Sequence, residues 1–513
     1  MVRNALWVKL RRKGIKGKLL QAIIMATAIL GLNSQNQDRK QTTRKDVAKL
    51  SNGIKQGSVL SPILFVIFVD DLLDELNERD ERETEPLPGL MFMDDLAVIG
   101  CSTATIERSH KIIMNWCAKW EATINPTKLE ILQKNMSQQA KQFTNKHGLD
   151  AKETIKKHLK YLGITTNAHA GTPQGWKHHA EARGKKMMTA FYLAGRRGMQ
   201  WNNASAGTGL RLFDRIFTKI GLYGGEIWDH EPSQTKKLDK QQAKIIKISL
   251  QLHPNTPTQW ALWETNTLPS AIAIDVAKAR AWRACKIKQR EGTPTPPNVI
   301  KLTQQALDRL GYRKAKWIDT DLTDFPNKEK WNEMVTKWGQ EAATTSFEDW
   351  WDSKSNDKDR TTGPDLMLIK PRWGDTQEFI KHFKKQISGC QMSMFLKARA
   401  NSVGLKADAT IRGKDGVAHH LKMCRCCNKA EETLAHVLLS CEEHAEERTP
   451  IRKAIHSLPS QQRNQWLKYK NDRQILNHIL KGTSPLITKT AMRSLEKMLE
   501  KITAYTQDEQ TMA

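Results

Sequence analysis

Two groups of side chains in this chain have types and spacings suited to chemistry. Asp94 and Asp95 stand side by side between two short apolar runs, residues 90–92 and 96–99. That pattern predicts a β-hairpin with a tight acidic turn, although the turn lacks the usual Asn-Gly or Asp-Gly pair. Adjacent carboxylates repel unless something positive lies between them, and a divalent cation is the natural partner. Clustered carboxylates that hold two such ions about 3.5–4 Å apart catalyse phosphoryl transfer. The plainer reading is a polar turn tip, because Asp is a common turn former.

The second group is Cys424-x2-Cys427-x8-His436-x4-Cys441. A close cysteine pair followed by a His/Cys pair on a helical segment is the donor pattern of a tetrahedral zinc site. Cys426 and His444 lie close enough to be rival donors. The five-residue step from His436 to Cys441 predicts that the helix unwinds near Ser440 so that both can reach one ion. The remaining cysteines are scattered, so the chain reads as a protein of a reducing compartment with a metal site rather than as a disulfide framework.

These groups need elements to hold them. The spacing predicts helices over 5–13 and 15–31, broken near Gly14, and over 59–76 and 104–122. A short apolar strand is expected at Tyr161–Ile164. Helical periods follow at 174–200, 207–228, 236–252 and 268–290. The Pro-rich stretch 291–299 is expected to end a domain. Residues 352–365 read as a polar linker, and the stretch after the cysteines as two or three short helices with a frayed end at 506–513. Trp260 and Trp263 read as core anchors rather than stacking platforms.

Charge narrows the partner. Against 55 Asp and Glu stand 82 Lys and Arg, a formal charge of +27 in 513 residues. Such an excess favours a polyanion, nucleic acid ahead of a membrane surface, through release of condensed counterions. The basic run 9–18 before apolar 19–32 imitates a signal peptide. The apolar part is short for a span, and the helical period starts before the basic run, so two buried helices are expected. An intracellular protein of nucleus or cytoplasm, not secreted and not in a membrane, follows.

Four segments in order then resemble the motifs of a known family. Gly53–Phe65, with Gln56-Gly57, resembles motif B of reverse transcriptases. Phe92-Met93-Asp94-Asp95 resembles motif C. Residues 120–132, with Asn125 and Lys128, resemble motif D, and Tyr161-Leu162-Gly163-Ile164 resembles motif E. Residues 207–228 and 256–282 are similar to the thumb of non-LTR (LINE-type) retrotransposon enzymes. The cysteine-histidine segment looks like the one found downstream of that thumb.

The resemblance implies an α+β chain: a partial right-hand polymerase palm carrying motifs B to E, an α-helical thumb and a small zinc module. The domains would be palm 1–165, thumb 166–290, helical extension 291–415, CCHC zinc module 416–445 and helical tail 446–513. It implies RNA-directed DNA polymerase activity with Mg²⁺, Zn²⁺, dNTP, an RNA template and a DNA primer. Asp94 and Asp95 would be the catalytic Mg²⁺ ligands. Gln56, Gly57 and Lys128 would meet nucleotide and template, and Tyr161, Leu162 and Gly163 would grip the primer. Cys424, Cys427, His436 and Cys441 would hold zinc. The family's motif A aspartate would fall just upstream of Met1, so impaired catalysis, or a nucleic-acid-binding remnant, is expected of these residues alone. The bare edge of the motif C hairpin would then make the chain poorly soluble. Residues 446–513 show no endonuclease pattern.

Overall fold

A computed structural model describes residues 2–30, 48–49, 53–54, 58–77, 89–100, 102–132, 138–167, 169, 172–197, 206–292, 297–311, 327–355, 370–383, 389–406, 423–469 and 471–512. The chain divides into two compact units, Met1–Ala170 and Gly171–Ala513.

The first unit runs α1 (Arg3–Arg12), α2 (Gly17–Ala28), β1 (Ile29–Leu30), β2 (Ala48–Lys49) and α3 (Ser61–Asn77). Then come β3 (Gly89–Phe92), β4 (Asp95–Val98), α4 (Thr103–Lys119), β5 (Ile131–Leu132), α5 (Gln138–Lys146) and α6 (Ala151–Thr154). β6 (Ile155–Lys156), β7 (His158–Tyr161) and β8 (Ile164–Asn167) close it. Its strands form four two-stranded sheets; β3–β4 and β7–β8 are antiparallel hairpins.

The core of this unit follows from helical periodicity. Leu64, Phe68, Leu72 and Leu76 recur every fourth residue along α3 and are all buried. Leu6 and Leu10 of α1 and Trp116 and Trp120 at the end of α4 complete the cluster. The break at Gly14 is real: its φ of +86° is a left-handed conformation that glycine adopts without strain.

A charge sits inside this core. Lys9 is 4% exposed, and its Nζ donates to the Phe68 carbonyl and to Asp71, both at 2.5 Å. The same ammonium lies 4.7 Å from the Phe68 ring centroid, 4.4 Å from Trp116 and 4.0 Å from Trp120. Trp116 Nε1 donates to the same Asp71 oxygen at 2.9 Å. Burial lowers the lysine's pKa, opposed by Asp71. Lys9→Ala should therefore destabilise this unit by about 2–4 kcal/mol, and Lys9→Met, which keeps the stem packing, by less. A urea melt followed by tryptophan fluorescence reads this; equal melts for wild type and Lys9→Ala would show that the aromatic box contributes nothing.

The second unit is helical throughout its named elements. It contains α7 (Lys177–Arg196), α8 (Ala206–Leu212), a π turn (Phe213–Phe217), α9 (Thr218–Gly221), α10 (Pro232–Ser249), α11 (Thr258–Glu264), α12 (Ser270–Arg290) and α13 (Pro297–Arg309). There follow α14 (Lys328–Ser355), α15 (Asp375–Phe383), α16 (Gly389–Arg399), α17 (Ala445–His456), α18 (Ser460–Leu467), α19 (Asp472–Leu480) and α20 (Pro485–Met512).

One apolar core takes residues from Met187 on α7 to Ile502 on α20. Beyond the Pro-rich stretch, Leu307 and Leu310 pack with Val276 and Trp282 of α12. Trp260 is fully buried and Trp263 6% exposed, stacked on Phe347 at 4.4 Å.

Several expected elements differ. The helix expected over 207–228 runs from Ala206 to Gly221 with a π turn inside it, and Gly224 at φ +80° then starts a 3₁₀ turn that delivers buried Trp228. Residues 352–355 belong to α14 rather than to a linker, while 356–369 lie outside the described residues. The tail is four helices, and the last is 28 residues long. No helix among the described residues is long and apolar enough to cross a membrane.

Candidate functional sites

The acidic hairpin forms where the sequence placed it. Phe92 pairs with Asp95 and Leu90 with Ala97, so Met93 and Asp94 make a two-residue turn. Met93 adopts φ +55°, a strained conformation for a side chain of its size. Both carboxylates are exposed. Among the described residues β3 and β4 pair only with each other, and Leu90 and Phe92 are 50% and 57% exposed. The hairpin's edge and one apolar face are thus uncovered among those residues.

Tyr161 reaches this hairpin. Its hydroxyl is 3.4 Å from the carbonyls of Leu90 and Asp95, so it donates to the two strands alternately. Burial and then Asp95 raise its pKa, which keeps it a donor. Tyr161 and Ile164 are not one strand, as expected above, but the closing pair of the β7–β8 hairpin. Leu162 and Gly163 form its turn, with φ of +47° and +81°. Two positive φ values are the hairpin turn that matches strand twist. Gly163 suits it; Leu162, 37% exposed at the tip, is held there by the strands.

The other expected residues are less gathered. Lys128 ends a 3₁₀ turn begun by Asn125, whose side chain accepts from the Thr127 N–H at 3.0 Å. Lys128 is exposed and makes no ion pair among the described residues. Gln56 and Gly57 lie outside the described residues. Beside them, the Gly53 carbonyl accepts from Arg3 Nε at 3.0 Å, and Arg3 Nη2 donates to Thr27 at 2.7 Å. Arg3 therefore ties the approach to residues 55–57 to α2.

The second site lies in the second unit. Donor atoms of Cys424, Cys427, His436 and Cys441 all fall within 4.8 Å of one another. Cys424 Sγ is 3.9 Å from Cys441 Sγ, and Cys427 Sγ is 3.2 Å from His436 Nε2. The backbone explains the convergence. The Cys424 N–H donates to Ala430 at 2.8 Å, folding 424–431 into a knuckle. A π turn spans His436–Ser440, and the Cys441 N–H bonds the His436 carbonyl at 2.7 Å, five residues back. That widened turn is the unwinding the five-residue spacing required. Cys441 then leaves in an extended conformation.

The rivals separate cleanly. Cys426 packs against the apolar core, and burial pushes its thiol up to about 12. His444 is fully buried, with Nδ1 3.9 Å from Glu447, and is outside the donor group. Burial lowers the His436 pKa, leaving a neutral imidazole suited to ligation.

Supports around the quartet had no pattern of their own in the sequence. Arg425 pairs with fully buried Glu432 at 2.5 Å, and Glu432 also accepts from the Lys406 N–H at 2.9 Å. Burial alone would raise Glu432, but these bonds hold it low. Arg448 donates to the Cys441 carbonyl. These contacts fix the knuckle independently of any ion.

Residues 6–166 match the model of the family "Reverse transcriptase (RNA-dependent DNA polymerase)". The match covers nearly all of the first unit, and it supports a reverse transcriptase domain there. No curated protein matches the chain.

Proposed function

We propose that the chain is the polymerase part of a non-LTR (LINE-type) retrotransposon protein, an RNA-directed DNA polymerase with a zinc module. The observation that carries this is the turn exposing Asp94 and Asp95 beside the Tyr161 hydroxyl, within the stretch that matches the reverse transcriptase family. In this reading residues 1–165 are palm and 166–290 thumb. Residues 291–415, 416–445 and 446–513 are extension, zinc module and tail.

Asp94 and Asp95 would bind Mg²⁺, which lowers the pKa of a primer 3′-hydroxyl and neutralises charge at the α-phosphate of a dNTP. Gln56 and Gly57 meet template and nucleotide, and Lys128 lies toward the leaving pyrophosphate. Leu162 and Gly163 present the turn that grips the primer, and Tyr161 braces that turn against the acidic hairpin. Cys424, Cys427, His436 and Cys441 fit zinc by donor type and mutual distance, and they would position a binding surface for RNA or target DNA.

The hairpin supplies two carboxylates, and a two-metal centre needs a third bridging ligand. The chain tested alone is therefore expected to bind a DNA primer annealed to RNA and to extend it poorly. Asp94→Asn should remove the remaining Mg²⁺-dependent extension by at least about 100-fold while leaving binding unchanged. Binding with no extension at all would favour a nucleic-acid-binding remnant. Extension insensitive to Asp94→Asn, or no binding at low salt, would refute the assignment.

A further inference from the structure

Helix α7 of the second unit carries a buried cation with no carboxylate to meet it. Arg183 is 8% exposed, and burial lowers its pKa. The one group opposing that fall is Tyr223, whose ring centroid lies 4.8 Å from the guanidinium carbon. Arg183 Nε donates to the Ile220 carbonyl at 2.8 Å, in the last turn of α9. His179, one turn earlier on α7 and fully buried, meets the Tyr223 carbonyl through Nε2 at 3.1 Å. Two side chains of α7 thus fix the turn that follows α9.

The bond to Ile220 uses one of the five N–H donors of the guanidinium. Nη1 and Nη2 have no protein partner among the described residues, and neither is a fully enclosed atom, so both open to solvent. Holding a carbonyl needs one neutral donor; a buried charge left without a counter-ion is costly, and packing alone does not account for it. The carboxylates closest in sequence are engaged or turned outward. Glu181 pairs with Lys237 of α10 at 3.4 Å, and Asp214 and Glu226 are exposed and form no ion pair with Arg183. Further cations gather there instead. Burial lowers the His179 pKa, and Arg183 and Lys186 lower it further, so both lie near that ring. Lys219, four residues before Tyr223, is exposed and makes no ion pair among the described residues.

The missing counterpart is a compact anion with paired oxygens, which a planar guanidinium fork grips bidentately. We propose that the Nη1 and Nη2 groups of Arg183, with Lys219 adding charge at the rim, bind a phosphate group at the turn after α9. The group is a backbone phosphate of a nucleic-acid strand, flanked by Tyr223, which is 47% exposed. This rests on the nucleic-acid reading above and adds to it a fixed anchor point on the strand. A free phosphate ion has the same chemistry, and the test separates the two.

The test is fluorescence anisotropy on the full chain with a labelled single-stranded RNA, first across a chloride series and then with part of the chloride replaced by inorganic phosphate at equal ionic strength. Thermal melts in the same buffers read binding of the free ion. Wild type is expected to lose RNA more readily in phosphate than in chloride. Arg183→Lys keeps the charge but loses the fork; it should weaken RNA binding about tenfold and cancel the extra effect of phosphate. Lys219→Ala should weaken binding and lower the slope of log affinity against log salt by about one. If Arg183→Lys melts early, Lys219→Ala decides, because its side chain is exposed and a lost packing contact would leave the salt slope unchanged. Wild-type RNA affinity in both variants, with no difference between phosphate and chloride, overturns the site. A phosphate-dependent rise in melting temperature that Arg183→Lys loses, with RNA binding unchanged, assigns the site to the free ion and overturns its place on the strand. Failure of wild type to bind RNA at low salt overturns the nucleic-acid reading, and the melts then decide the phosphate site by themselves.

Discussion

Replacing Cys441 with Ser is expected to strip the protein of one equivalent of zinc and to lower the stability of its second unit by at least about 3 kcal/mol. A tetrahedral ion with bonds of about 2.3 Å to sulfur and 2.0–2.1 Å to nitrogen sets its donors roughly 3.5–3.8 Å apart. The 3.9 Å between Cys424 and Cys441 and the 3.2 Å between Cys427 and His436 bracket that range. The site is also welded to the core. Val437 and Leu438, directly after His436, are fully buried in the cluster that includes α17 and α20. Losing the ion frees the π turn, and with it two core side chains. Metal content by mass spectrometry and a thermal melt check this. Cys426→Ser is the control, because that thiol is outside the donor group, and it should keep its zinc. A wild-type protein that carries no zinc and melts unchanged in the presence of a chelator would show that the quartet is only a cluster of thiols.

What the sequence disclosed depended on how local the signal was. The acidic hairpin and the quartet were legible because chemistry and spacing sit within a few residues. The same locality makes the helix break at Gly14 and the helix of α3 legible. Tyr161–Ile164 reads as a strand in sequence because Leu162 is no turn former; only the β7–β8 pairing holds it at positive φ. Gly163 was the available clue. The long last helix does carry a local signal: Ile487, Ala491, Leu495, Met498 and Ile502 recur at steps of three and four and are all buried. A charged surface concealed that stripe. The Arg183–Ile220 bond joins two helices, and nothing in either segment announces it.

Long-range contact is most marked around Arg399, where substitution is expected to have the largest effect on stability. This guanidinium is fully buried. Its Nε and Nη2 donate to Glu264 at 2.8 and 3.0 Å, Nη2 also to Asp375 at 2.7 Å, and Nη1 to the Leu480 carbonyl. Thr376 donates to Glu264 at 3.1 Å. One side chain thus joins α11, α15, α16 and α19 across sequence separations of 24 to 135 residues. Arg399→Ala removes the cation, leaves a cavity and strands two buried carboxylates and a carbonyl. The expected cost is about 3–5 kcal/mol, read in a urea melt.

The pH dependence distinguishes stranded charge from a simple cavity. In the wild type burial already raises the Glu264 pKa, with Arg399 opposing the rise. Without Arg399 that carboxyl's folded pKa climbs further above its unfolded value. Between those two values the folded variant binds more protons than the unfolded chain, so its stability falls as pH rises. The deficit of Arg399→Ala relative to wild type should therefore be larger at about pH 8 than at about pH 5. Adding Glu264→Gln to Arg399→Ala should restore part of the loss at the higher pH, because it removes a charge that has lost its partner. A deficit that is the same at both pH values and unrelieved by Glu264→Gln would mean that Arg399 serves by volume alone.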